Sequence, residues 1–113
     1  MRTAMGTEKR LHPRIPVNWP VVILTPKGAI KGETRNISVG GACIEYSEEA
    51  DLNGELHIVF EYSKQRSMSV TGRKAWAGNF NMDGKSVFSG VGVRFTEISR
   101  EVRELISSLE KDI

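Results

Sequence analysis

Two short groups of residues carry hydrogen-bonding side chains at spacings that suit a ligand. Arg10 and Arg14 stand four apart in Arg10-Leu11-His12-Pro13-Arg14, and Asn36-Ile37-Ser38-Val39-Gly40-Gly41 follows further along the chain. Arginine presents a planar fork of donors that fits phosphate oxygens and the O6/N7 edge of guanine, and its flat face stacks on aromatic rings. Short polar side chains at a strand end reach the edge of a base. Glycine permits positive φ and lets backbone approach a ligand closely. Arginines on an arm facing a polar, glycine-rich corner make a clamp for a small anionic guanine nucleotide.

Other chemistries find less support. His12 and His57 are the two histidines, and His57 falls on the outer face of an alternating strand, where a solvated side chain is the simpler reading. Cys43 sits between Ala42 and Ile44 in an apolar run, with nothing adjacent to activate its thiol. Glu48-Glu49-Ala50-Asp51 lacks the glycine-centred spacing of a calcium loop and reads as a solvated turn. Gly90-Val91-Gly92 misses the third glycine of a dinucleotide fingerprint, and a strand follows it instead of a helix. Asn36-Ile37-Ser38 matches a glycosylation tripeptide, but the N-terminal residues show no export signal. No acid, base and nucleophile converge, so no enzyme, cofactor or metal site is expected.

The elements that must position these residues can be read from patterning. With 113 residues, 39% apolar and 27% charged, the chain suits one soluble domain. No apolar run approaches the roughly 20 residues of a membrane span. The single cysteine excludes an internal disulfide, which with the missing export signal predicts a cytoplasmic setting. Arg2, Lys9, Arg10 and Arg14 against Glu8 give residues 1–14 a net +3; the remaining twelve basic and thirteen acidic residues give −1. Pro13, Pro16 and Pro20 forbid a regular helix there. Short strand-like runs follow at 19–25, 29–37, 42–46, 55–61, 67–77 and 87–95, in the manner of a small barrel or sandwich. Pro26-Lys27-Gly28 and Asn81-Met82-Asp83-Gly84 mark turns, and Gly72 marks a bulge. Ile98, Val102, Leu105, Ile106, Leu109 and Ile113 form one stripe of a C-terminal helix over 97–112, capped by Thr96 or Ser99.

In this order, R-x-x-x-R at Arg10 and Arg14, N-x-S-x-x-G at Asn36, Ser38 and Gly41, the ending Gly92-Val93-Arg94-Phe95 and a helix resemble the PilZ domain. That family is the bacterial receptor module for cyclic di-GMP. The resemblance spans roughly residues 8 to 110. It implies a mainly β fold: a six-stranded antiparallel β-barrel with a C-terminal α-helix and a flexible basic N-terminal arm. The expected divisions are a tail at 1–7 and the domain at 8–113, with the arm at 8–18, the barrel at 19–96 and the helix at 97–112. By the same resemblance Arg10 and Arg14 would hold phosphates and guanine edges, Asn36 and Ser38 would hydrogen-bond a guanine, and Gly41 would let the chain turn close to the ligand. Lys9, before the first arginine, bears on whether one ligand or a stacked pair binds. Gly40, Trp76 and Arg73 are secondary candidates. Many members carry Asp where this chain has Asn36, and an amide accepts through one oxygen only.

The resulting expectation is a non-enzymatic cyclic di-GMP receptor that couples ligand binding to an unidentified protein effector through closure of the arm. The alternative is a PilZ-like adaptor that binds proteins and not the dinucleotide. A single-strand nucleic-acid barrel would need exposed aromatics along a basic groove; here aromatics are 7% and the barrel body is slightly acidic.

Overall fold

The computed structural model describes residues 14–47, 50–82 and 86–111. Six antiparallel strands close into a barrel: β1 (Ile15–Thr25), β2 (Gly28–Ile37), β3 (Gly41–Tyr46), β4 (Glu55–Ser63), β5 (Arg66–Met82) and β6 (Ser86–Glu97). Around the barrel they run β1-β2-β3-β6-β5-β4, and β4 pairs back onto β1 through Val21–Phe60 to Leu24–His57. Helix α1 (Arg100–Glu110) follows β6.

Alternation drives closure. Ile23, Ile37, Ile44, Leu56, Ile58, Phe60 and Val91 point inward and are fully buried. Each such side chain contributes roughly 1.5–3 kcal/mol of burial. One end of the core is aromatic: Trp19 meets Phe60 edge-on at 6.4 Å, and Phe60 meets Phe95 at 6.0 Å. The β1–β2 turn closes through Gly28, whose φ of 139° suits only glycine. Val102 and Ile106 bury one stripe of α1 against the barrel, and Leu105 and Leu109 pack beside them. The Ser99 side chain caps the helix by accepting from the Val102 N–H at 3.1 Å.

Strand ends depart from expectation for identifiable reasons. β1 starts at Ile15 rather than 19, taking in Pro16 and Pro20. Both prolines pair with β2 and lie before Val21, where the described pairing with β4 begins, so the strand carries them where it has one neighbour. β5 runs on to Met82 and β6 begins at Ser86, so the hairpin is longer than alternation indicated. Beyond Arg73, among the described residues, β5 pairs with β6 alone. The helix is shorter than the expected 97–112, because Ile98 and Ser99 form its approach. Val59, which alternation from His57 places on the outer face, is half-buried. The expected bulge at Gly72 is present as a register shift between Thr71 and Gly72.

Among the described residues, Thr34 Oγ1 and Glu110 Oε2 are buried without a hydrogen-bond partner. Thr34 is fully buried between Trp19 and Ile44, and its Oγ1 has no hydrogen-bond partner. Thr34→Val keeps the shape and removes the desolvation cost, so it should raise stability by about 1 kcal/mol in urea unfolding. A loss of stability would mean that the hydroxyl has a partner.

Candidate functional site

A bulge decides which way Asn36 faces. From inward Thr34, plain alternation would send Asn36 into the core and Ile37 out. Instead the β2–β3 register slips between Thr34 and Asn36, and the β1–β2 register slips at the same level between Pro16 and Trp19. Arg35 is the extra residue. It stays exposed, Asn36 comes to the half-buried outer surface, and Ile37 turns in. The Arg35 side chain pins both slips. Its Nη1 donates to Asn18 Oδ1 on β1 at 2.9 Å, and Nε and Nη2 donate to Glu45 Oε1 on β3 at 3.1 and 2.6 Å. The hydrogen bond to Glu45 holds the Arg35 pKa above its usual value.

Arg14, just before β1, reaches this corner. Its Nη1 donates to Asn36 Oδ1 at 2.9 Å, joining one residue of each sequence motif. A guanidinium has only donors, so the bond fixes the amide with its oxygen toward Arg14. The amide NH2 group has no protein partner among the described residues. Lys9 and Arg10 lie outside the described residues.

Ser38 shapes the turn after β2. It is 6% exposed. Its hydroxyl accepts from the Gly40 N–H at 3.1 Å and faces the Gly41 carbonyl oxygen at 3.5 Å. The Ser38 N–H also donates to the Gly41 carbonyl, at 2.8 Å. The hydroxyl expected to meet a base from the barrel surface is thus engaged within its own turn. Gly41 has no positive φ; it is required for another reason. A Cβ there would collide with the Val93 carbonyl oxygen of β6. The exposed Gly40 accepts the Phe95 N–H at 2.9 Å, stitching the turn to β6.

Register then lays out one outer row: Asn36 on β2, Cys43 on β3, Gly92 on β6 and Trp76 on β5. Trp76 is 42% exposed, and its indole occupies the space a side chain at Gly92 would need. Cys43 forms the floor between Asn36 and Gly92; partial burial raises its thiol pKa, with Arg14 opposing. The neighbouring row is Gly41, Arg94 and Arg73, the last facing Glu55 on β4. Arg94 entered the sequence reading only within the ending Gly92-Val93-Arg94-Phe95, with no ligand role, although the alternation of Val91, Val93 and Phe95 already turns it outward. His57 is exposed near Glu55, and no metal-binding group of His, Cys, Asp or Glu occurs among the described residues. Asp51, in the acidic loop, accepts from the Asn53 N–H and from Lys27 Nζ, which lowers its pKa. Among the described residues, no helix is long and apolar enough to cross a membrane.

The Gly92 seat is open to test. Gly92→Ala should lift the Trp76 indole off the barrel and raise its quenching by iodide, read in a Trp19→Phe background. Unchanged quenching would show that the indole does not depend on that seat.

Comparison places this barrel among known ones. No curated protein matches the chain. Among solved structures, the PilZ domain of Escherichia coli YcgR with c-di-GMP is similar at 15% identity and TM-score 0.73, covering 93% of this chain and 94% of that one. MrkH of K. pneumonia in complex with c-di-GMP is similar at 12% identity and TM-score 0.79, covering 94% of this chain and 52% of that one. The Bacillus subtilis inhibitor of motility (MotI/DgrA) is similar at 15% identity and TM-score 0.73, covering 93% of this chain and 51% of that one. The chain spans about half the length of these last two structures. These likenesses carry the fold. The PilZ domain family model matches residues 8–110, nearly the whole sequence and every strand of the barrel, and the chain belongs to that family.

Proposed function

We propose that this PilZ domain is a non-enzymatic receptor for cyclic di-GMP, binding on the outer face of β2, β3 and β6. The observation that carries this reading is the Arg14–Asn36 hydrogen bond, which brings the two sequence motifs to one corner. The complexes of YcgR and MrkH with c-di-GMP, on the same fold, support the choice of ligand. Arg14 and Arg10 supply charge-assisted donors to the phosphates and guanine edges. Asn36 reads a base edge, Ser38 holds the turn that Gly40 and Gly41 complete, and Trp76 offers its open face for stacking. Lys9 lies where it can bear on ligand number. The arm expected at 8–18 is shorter than that, because Ile15–Asn18 belong to β1. The basic residues before Ile15 close over the ligand, and this changes the surface offered to a protein effector in the cytoplasm. Arm ordering costs entropy that the new hydrogen bonds offset.

A specific observation favours a second reading, an adaptor that keeps the fold and binds only proteins. The Asn36 oxygen and the Ser38 hydroxyl are already bonded within the chain. Titration calorimetry separates the two. Wild type should bind cyclic di-GMP and not GTP, while Arg14→Ala should abolish binding without lowering the thermal midpoint. Absence of heat with wild type at tens of micromolar would establish the adaptor instead.

Asn36→Asp refines the same site. With two acceptor oxygens, a carboxylate serves Arg14 through one and guanine N1–H or N2–H through the other. The variant should bind cyclic di-GMP about three- to tenfold more tightly, consistent with the greater strength of charge-assisted bonds. Weaker binding would mean that the free amide NH2 group is what meets the base.

A further inference from the structure

Arg94 and Arg73 form an unusual pair. They are direct cross-strand partners on β6 and β5, both exposed. Like charges directly opposite in a sheet repel. Neither makes an ion pair or side-chain hydrogen bond with another described residue. Arg73 has Glu55 as its partner on the other side, which moderates its charge across β4 and β5. Arg94 has no such relief. Its other partner is Gly41, which has no side chain, and the next residue along, Phe95, donates its N–H to Gly40. Arg94 therefore stands opposite Gly41 at the glycine turn of the ligand corner, one row from Asn36, Cys43 and Trp76.

We infer that Arg94 is a further ligand-binding residue of this site, gripping a phosphodiester of the dinucleotide from the side opposite Arg14. Three features converge. A side chain carrying only donors is left without acceptors. The absent side chain at Gly41 clears the space between Arg94 and the Asn36–Gly41 corner. Arg73 behind it raises the local positive potential without needing to touch the ligand. An anion seated between Arg14 and Arg94 relieves the repulsion that the free protein tolerates. Each arginine then makes charge-assisted bonds, and the ligand is held from two strands as well as from the arm. This inference rests on the receptor reading above and extends it to residues outside both sequence motifs.

The test is calorimetric titration of the full chain with cyclic di-GMP at several salt concentrations. Arg94→Gln should weaken binding about tenfold, which is about 1.4 kcal/mol. It should also flatten the dependence of affinity on salt, because one ionic contact is lost. The thermal midpoint should hold or rise as the repulsion with Arg73 disappears. Arg73→Gln should cost less than threefold. Wild-type binding with Arg94→Gln within twofold of it would overturn this inference alone. Absence of wild-type binding would overturn the receptor reading and this inference together.

Discussion

One extra residue in β2 organises the outer face of this barrel. Without the slip at Arg35, Asn36 would point into the core and Ile37 into water. That reversal would bury an amide and expose an isoleucine, and it would remove the acceptor that Arg14 finds. The slip is held electrostatically: Arg35 spans from Asn18 on β1 to Glu45 on β3, with Glu33 at 3.7 Å. An exposed ion pair contributes little to stability on average. Here its value is geometric, because a planar fork with fixed donors specifies where two neighbouring strands lose register. Arg35 touches no part of the proposed ligand path, yet it determines which side chains can.

The second constraint is closeness of backbone. Gly41 admits the carbonyl of Val93, Gly92 admits the indole of Trp76, and Gly40 accepts the Phe95 N–H. Together they bring β3 and β6 into a seam with little side-chain cover, flanked by Asn36 and Cys43 on one side and by Trp76, Arg94 and Arg73 on the other. A flat seam bordered by an aromatic face and cations suits a ligand with stacked bases and charged linkages. The motif glycine does its work through close packing, and among the described glycines the positive φ values belong to Gly28 and Gly54 in other turns.

Much of this was legible in the sequence, because period-two alternation and turn residues are local signals. Gly28 and Gly72 punctuate the strands as their chemistry requires, and the apolar stripe from Ile98 to Leu109 with Ser99 before it gave the helix and its cap. Residues 15–18 were hidden because Pro16 reads as a stop; only the pairing of Ile15 with Ile37 and of Pro16 with Asn36 shows that the strand runs through it. The bulge at Arg35 was hidden for a deeper reason. A register slip is a relation between strands, and Thr-Arg-Asn-Ile looks the same with or without it. Arg94 was visible as an outward residue, but its neighbours Gly41 and Arg73 come from strands far apart in sequence. Ser38 was read as facing a ligand, whereas its hydroxyl closes its own turn, a competition typical of short polar side chains.

The overhang of β5 beyond β4 has a kinetic meaning. Closed barrels protect their amides because every strand has two neighbours, but from Lys74 to Met82 β5 has β6 alone among the described residues. Amides on that open side meet water directly, so hydrogen exchange there follows local fraying of a two-stranded ribbon and not unfolding of the barrel. Trp76 stands near the root of this ribbon. The aromatic surface of the seam is mounted on a strand paired on one side among the described residues, while Asn36 and Cys43 sit in strands paired on both sides.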